Sequence, residues 1–311
     1  MCRGEGRRLA RESALTKIMM KSTSTSSAAG QRLESVLRGM NQVAVAVSGG
    51  VDSLTLGVFA HRLLGDRSVM FHAVSPAVPP EATRRTGELA EREGWELKVL
   101  DAGEFESSDY MRNPVNRCFY CKASLYGSIH RQTSAQIVSG TNLDDLGEYR
   151  PGLMAAKDHG VRHPFVEAEI DKNGVRALAR ELQLGDLAEL PASPCLSSRV
   201  ETGIGIDPTM LGCIHDIEQM LVAELAPRTV RCRVRASGLV VELDETTLAA
   251  LGAGQRVVLA ARIRDRFLRE GFERSVDFAP YRLGSAFLHL SLEPDVRGLH
   301  ADAGCHPGVR R

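Results

Sequence analysis

Val43-Ala44-Val45-Ala46-Val47-Ser48-Gly49-Gly50-Val51-Asp52-Ser53 decides how this chain is read. The β-branched run over 43–47 marks a strand buried on both faces. It stops at Ser48, and an apolar helical pattern follows over residues 51–64. Glycines at such a junction let the chain turn tightly and approach a ligand. The unspent N–H groups of the first helical turn, here opened by Val51, then face that ligand, backed by the positive end of the helix macrodipole. The result is an anion site suited to phosphate or pyrophosphate. Ser48 and Ser53 add hydroxyl donors. Asp52 is out of place in a bare anion site and makes sense where Mg²⁺ bridges its carboxylate to phosphates. The plain alternative is a glycine turn with Asp and Ser capping a helix. The spacing matches neither the dinucleotide fingerprint nor the Walker loop.

Outward from this junction, residues 68–74, 95–100 and 135–138 read as further strands, and a charged amphipathic helix runs from Pro79-Pro80 to Glu93. Strands alternating with helices predict an α/β fold, a parallel sheet with helices on both faces. Beyond residue 190 the pattern changes to a smaller α+β unit. It holds a helix over 208–225, a hairpin of 229–235 with 239–244, a helix over 255–270 and a strand over 275–278. The expected division is a tail or early start codon (1–30), the α/β domain (31–205), the α+β domain for substrate or oligomer contacts (206–290) and a flexible tail (291–311).

Composition limits the function classes. The chain has 311 residues with 39 Lys+Arg against 39 Asp+Glu, so no net field draws it to nucleic acid or an anionic membrane. Its longest apolar runs are far too short to cross a bilayer. Seven Cys are dilute at this length, which argues against a disulfide scaffold. No apolar stretch of signal-peptide length follows the basic residues of 1–30, so the expected protein is cytoplasmic with reduced thiols.

Gly140-Thr141-Asn142-Leu143-Asp144-Asp145 follows the fourth strand. In an open α/β sheet, ligands bind outside the carboxyl ends of the strands, so this segment and the Ser48 loop share one crevice. Asp144 or Asp145 is a Mg²⁺ candidate, and Arg150 a partner for phosphate or carboxylate. The alternative is a helix capped by Asn142.

Cys118 and Cys121 form a C-x-x-C in Asn113-Pro114-Val115-Asn116-Arg117-Cys118-Phe119-Tyr120-Cys121-Lys122, a spacing that suits one metal, a cluster or a redox pair. Cys195 adds a third thiol in Pro191-Ala192-Ser193-Pro194-Cys195-Leu196-Ser197-Ser198-Arg199, where the arginine favours thiolate. Cys213 and Cys232 lie in periodic segments and read as small apolar residues, while Cys2 and Cys305 fall in the tails. Three thiols fit a 4Fe–4S cluster with one open iron; alternatively, Cys195 itself is the sulfur donor.

Together, SGGVDS, NPVNRCFYCK, GTNLDDLGEYRPG, PASPCLSSR and the stretch from Gly271-Phe272 to Tyr281-Arg282-Leu283-Gly284-Ser285 resemble the LarE family of ATP-dependent sulfur transferases, in the PP-loop ATP pyrophosphatase superfamily, over 31–290. The resemblance implies that Ser48, Gly49, Gly50, Val51, Asp52, Ser53, Gly140, Thr141 and Asn142 bind ATP. Mg²⁺ would sit on Asp52, Asp144 and Asp145. It implies adenylation of a carboxylate of pyridinium-3,5-biscarboxylic acid mononucleotide, followed by displacement of AMP by sulfur, on the way to the nickel-pincer cofactor of lactate racemase. Cys195 and Asp52 would carry the chemistry. The C-x-x-C matches members that use a 4Fe–4S cluster, here on Cys118, Cys121 and Cys195; other members sacrifice the sulfur of the cysteine matching Cys195. Arg150, Ser198, Arg199, Arg231, Arg233 and Glu242 would hold the small anionic nucleotide substrate. Arg231 and Arg233 also read as alternation on the exposed face of a strand. Leu239-Val240-Val241-Glu242 departs from the family's usual Ala-Arg-Ile-Glu, with Val240 in place of the arginine. A symmetric homo-oligomer is implied, with no membrane and no nucleic-acid partner. The rival readings are a tRNA-thiolating PP-loop enzyme and a non-catalytic ATP-binding sensor.

Overall fold

The computed structural model describes residues 27–147, 150–192 and 194–286. The expected tails fall almost wholly outside these residues. Helix α1 (Ala28–Arg38) nevertheless begins inside the stretch read as appendage, with Ser27 Oγ capping Gly30 N at 3.2 Å. An apolar stripe of Leu33 and Leu37 holds it to the core.

The central sheet has four parallel strands in the order β3-β2-β1-β4: β1 (Val43–Ala46), β2 (Ser68–Ala73), β3 (Leu97–Leu100) and β4 (Gln136–Ser139). Alternate residues feed two cores. Val43, Val45, Met70 and Val138 pack with α1, α2 (Val51–Leu64) and α6 (Lys172–Glu181). Ala44, Phe71 and Ile137 pack with α4 (Arg117–His130) and α5 (Pro151–Asp158) on the other face. Burying a Leu or Phe here contributes about 1.5–3 kcal/mol, and Leu54, Leu56 and Phe59 of α2 are all within 1% of full burial. The parallel order puts the carboxyl ends of all four strands on one edge, where the glycine loops lie. Helix α3 (Pro80–Glu93) follows β2, and Arg62 of α2 grips its Glu93 through two hydrogen bonds of 2.8 and 2.9 Å.

The second unit comprises α7 (Pro208–Leu225), β5 (Val230–Arg235), β6 (Gly238–Leu243), α8 (Ala253–Leu268) and β7 (Val276–Pro280). The hairpin β5–β6 is antiparallel and β7 joins β6 in parallel. Its core is built around Ile214, Ile217, Leu221, Val241, Ile263 and Phe267, and it buries Cys213 and Cys232 as small apolar side chains. This core also takes in Ala77, Tyr110 and Leu196. Asn113, held at φ 54°, donates from Nδ2 to the carbonyls of Glu201 and Ile204 at 2.9 and 2.8 Å. These bonds fix the segment that leads into α7 beside the core the two units share. Among the described residues, no helix is long and apolar enough to cross a membrane.

Candidate functional site

The Ser48 loop is a rigid cradle. Gly49 has φ +82°, and a Cβ there would lie 2.7 Å from Ala82 of α3, so only glycine fits. Ser53 Oγ folds back to accept from Ser48 N at 2.9 Å and lies 3.1 Å from Ser48 Oγ. Gly50 caps α2 without any side-chain hydrogen bond, which leaves the first-turn N–H groups for a ligand. Arg85 of α3 donates to the Gly49 carbonyl at 2.5 Å. Because carbonyl and following N–H point opposite ways in a trans peptide, this bond turns the Gly50 N–H away from Arg85. Behind the loop, His72 Nδ1 donates to the Val47 carbonyl at 2.9 Å, and burial lowers its pKa.

The second glycine loop is pressed against the first. A Cβ on Gly140 would lie 2.6 Å from Ser53 N and 2.8 Å from the Asp52 carbonyl carbon. Buried Asn142 donates from Nδ2 to Asp52 Oδ1 at 3.2 Å and accepts from Asp144 N at 3.0 Å. Its side chain thus heads the 3-10 turn Leu143–Gly147 as the capping alternative expects, and it reaches Asp52 as the shared-crevice reading expects. Asp145 pairs with Arg150 at 2.8 Å, and Asp144 accepts from Lys172 N at 3.1 Å. Lys172 was not anticipated. Its Nζ spans both oxygens of Asp52, at 2.8 and 2.6 Å. The Asp171 cap and the helical spacing of Val175, Leu178, Ala179 and Leu182 are the signals that would have placed it at a helix start.

Asp52, Ser48, Ser53, Thr141 and Asp145 line one cavity of about 290 Å³. Its far wall carries Cys121, Cys195, Lys122 and Glu104. Cys118 sits in the first turn of α4 and Cys121 opens the second, and Cys195 heads the turn Leu196–Arg199; all three are free and half-buried. Burial pushes the Cys121 thiol up to about 12 and raises that of Cys118, with Cys195 adding to both. Burial opposes the Lys122 ammonium, but Tyr126 and the neighbouring thiols outweigh it and raise its pKa. Among the described residues, no three His, Cys, Asp or Glu side chains are grouped closely enough to hold a metal ion. As arranged, the three thiols do not make a ready cluster site.

The remaining candidate residues lie behind Cys195. Arg199, 3% exposed, pairs with Glu218 at 3.0 and 2.9 Å and donates to the carbonyls of Pro194 and Cys195 at 2.7 and 3.2 Å. Ser198 Oγ accepts from Arg199 at 3.1 Å, and its carbonyl from Arg233 at 3.0 Å. Arg233 and Arg235 both pair with buried Glu242, at 3.1 and 2.6 Å. The face read as exposed alternation is in fact covered: Arg233 is 4% exposed. Arg231 lies 5.9 Å over the Tyr281 ring and donates to the Ala192 carbonyl at 3.3 Å. Arg199, Arg231 and Arg233 hold the Cys195 loop, and neither they nor Arg235 are among the cavity-lining residues.

None of the known protein-family profiles matches the chain. It is 36% identical over 168 residues to an uncharacterized protein of Synechocystis, a match covering 53% of this chain and 62% of that relative, just under two thirds of its length. An uncharacterized protein of Methanocaldococcus jannaschii is 24% identical over 221 residues, covering 70% of this chain and 83% of its own. The pyridinium-3,5-bisthiocarboxylic acid mononucleotide synthase of Lactiplantibacillus plantarum is 29% identical over 265 residues, covering 81% of this chain and 91% of its own. The last similarity is long enough to span most of both units.

Proposed function

We propose that this chain is an ATP-dependent sulfur transferase acting on pyridinium-3,5-biscarboxylic acid mononucleotide. One observation carries the reading: a single cavity joins a phosphate cradle and its acid, Asp52, to two thiols. Similarity to the Lactiplantibacillus plantarum synthase supports the same substrate class. A PP-loop-type fold is supported by the parallel sheet and by the glycine loop after β1.

The chemistry follows from charge. A carboxylate repels nucleophiles, so it must first gain a leaving group. Its oxygen attacks the α-phosphorus of ATP, pyrophosphate departs, and an acyl-adenylate forms. The Ser48 loop and the first-turn N–H groups of α2 hold the departing pyrophosphate. Asp52 and Asp145 line the cavity with carboxylate oxygens that suit Mg²⁺, which would neutralise phosphate charge when bound. Lys172 must then yield at least one Asp52 oxygen. In the second step a sulfur nucleophile adds to the acyl carbon and AMP leaves. Written through Cys195, the product is a thioester. The Cys195 Hα then leaves as a proton to solvent and the Cβ–Sγ bonding pair departs on sulfur, which releases the thiocarboxylate anion and leaves dehydroalanine.

The test is anaerobic incubation with Mg·ATP and the dicarboxylate nucleotide, followed by pyrophosphate assay, iron and sulfide analysis and intact mass. The reading expects substrate-dependent pyrophosphate release, with either the loss of one sulfur from Cys195 or bound iron and sulfide on Cys118, Cys121 and Cys195. Pyrophosphate release that ignores the carboxylate substrate would refute it.

A further inference from the structure

His163 follows the bridge that pairs Arg162 with β4, and its Nδ1 lies 2.8 Å from Ser139 Oγ. Ser139 Oγ lies 3.1 Å from Thr141 Oγ1. Ser139 and Thr141 both line the cavity. Gly140, between them, is packed on Asp52 and Ser53 with no space for a side chain. This chain of three polar groups therefore ends in the cavity that Ser48, Asp52 and Ser53 also line.

The occupant of the cradle fixes the direction of the chain. An ionised phosphate oxygen only accepts hydrogen bonds, so a hydroxyl facing it must donate. Thr141, donating outward, offers its lone pairs to the Ser139 hydroxyl. Ser139, donating to Thr141, must itself accept from the imidazole. We infer that His163 and Ser139 are positioning residues that commit the Thr141 hydroxyl as a donor to the nucleotide phosphates. The inference rests on the ATP-binding reading above. The charged groups facing the ring are Glu167, paired with Arg162, and Asp145, paired with Arg150. Both acids favour the imidazolium, but burial opposes it and lowers the pKa; a ring that carries one proton holds it on Nδ1 or on Nε2. Its choice is set by the hydrogen bond it makes. An Nδ1–H ring supports a donating Thr141; an Nε2–H ring reverses the chain and turns a Thr141 lone pair toward the phosphates.

The full chain labelled with ¹⁵N-histidine reads this directly by NMR, the His163 signals being those lost in His163→Asn. With saturating Mg·ATP, the proton is expected on Nδ1. By calorimetry, Ser139→Ala and His163→Ala each weaken ATP binding about three- to tenfold, while His163→Asn, whose amide nitrogen reaches the Nδ1 position, stays within about twofold. A role in packing alone predicts that His163→Asn behaves like His163→Ala. An Nε2–H ring under saturating ATP, or unchanged affinity in Ser139→Ala, overturns the relay alone. Wild-type protein that binds no ATP overturns the ATP reading and the relay with it.

Discussion

At the scale of single residues, the site turns on Asp52, whose carboxylate is held between Lys172 and Asn142. Asp52→Asn keeps the shape and removes the charge that a divalent ion needs. Pyrophosphate release should fall about 100-fold or more, with the fold retained by circular dichroism. A variant within a few-fold of wild type would remove Asp52 from the chemistry. Gly140→Ala tests the contact between the loops, because its Cβ would meet Ser53 N at 2.6 Å. The cradle must shift, and calorimetry should show ATP binding lost. Asp52, the glycines and the cysteines were legible because each belongs to a short motif whose chemistry is local. Lys172 and Arg85 were not, since their partners lie 120 and 36 residues away. Lys122 stood beside a quoted cysteine, but nothing in its neighbours says that it lines the cavity.

At the scale of elements, β1 was readable from its β-branched run, and the other three strands from short apolar stretches that alternate with helical segments. Helix α2 was equally plain from the apolar pattern between Val51 and Leu64. Helix α4 was not assigned, because Cys118, Phe119, Tyr120 and Leu125 spread apolar character around its axis and blur the period. Helix α6 does carry the period, in Val175, Leu178 and Ala179, and went unread. Packing between elements adds a pH-dependent clamp. Burial disfavours the Glu93 carboxylate, yet its two hydrogen bonds from Arg62 outweigh this and lower its pKa. A lowered acid stabilises the fold fully above its unfolded pKa, and the contribution fades as pH falls through the folded value. Glu93→Gln should therefore cost about 2 kcal/mol at pH 7, and the gap to wild type should close at acid pH. Urea midpoints measured at several pH values check this. A gap that is constant with pH would show that the charge plays no part.

At the scale of the whole molecule, the second unit is the mount for Cys195. Arg199 ties Glu218 of α7 to the carbonyls on either side of that thiol, and Arg233 ties Glu242 of β6 to Ser198. The sequence showed the arginines but not their burial. Strand alternation alone does not tell a solvated face from one covered by the neighbouring loop, and the register that sets Arg231 opposite Glu242 exists only in the folded pair. Glu218→Ala leaves a buried guanidinium without its acid and should cost about 3–5 kcal/mol by urea unfolding. Near-native stability would show that the tie is dispensable. The central claim is that activation and sulfur delivery share one cavity. Mass spectrometry of the nucleotide products from a single anaerobic reaction with Mg·ATP tests it most directly. One AMP is expected for each oxygen replaced by sulfur in the carboxylated pyridinium nucleotide. AMP formed while every product carboxylate keeps both oxygens would contradict it.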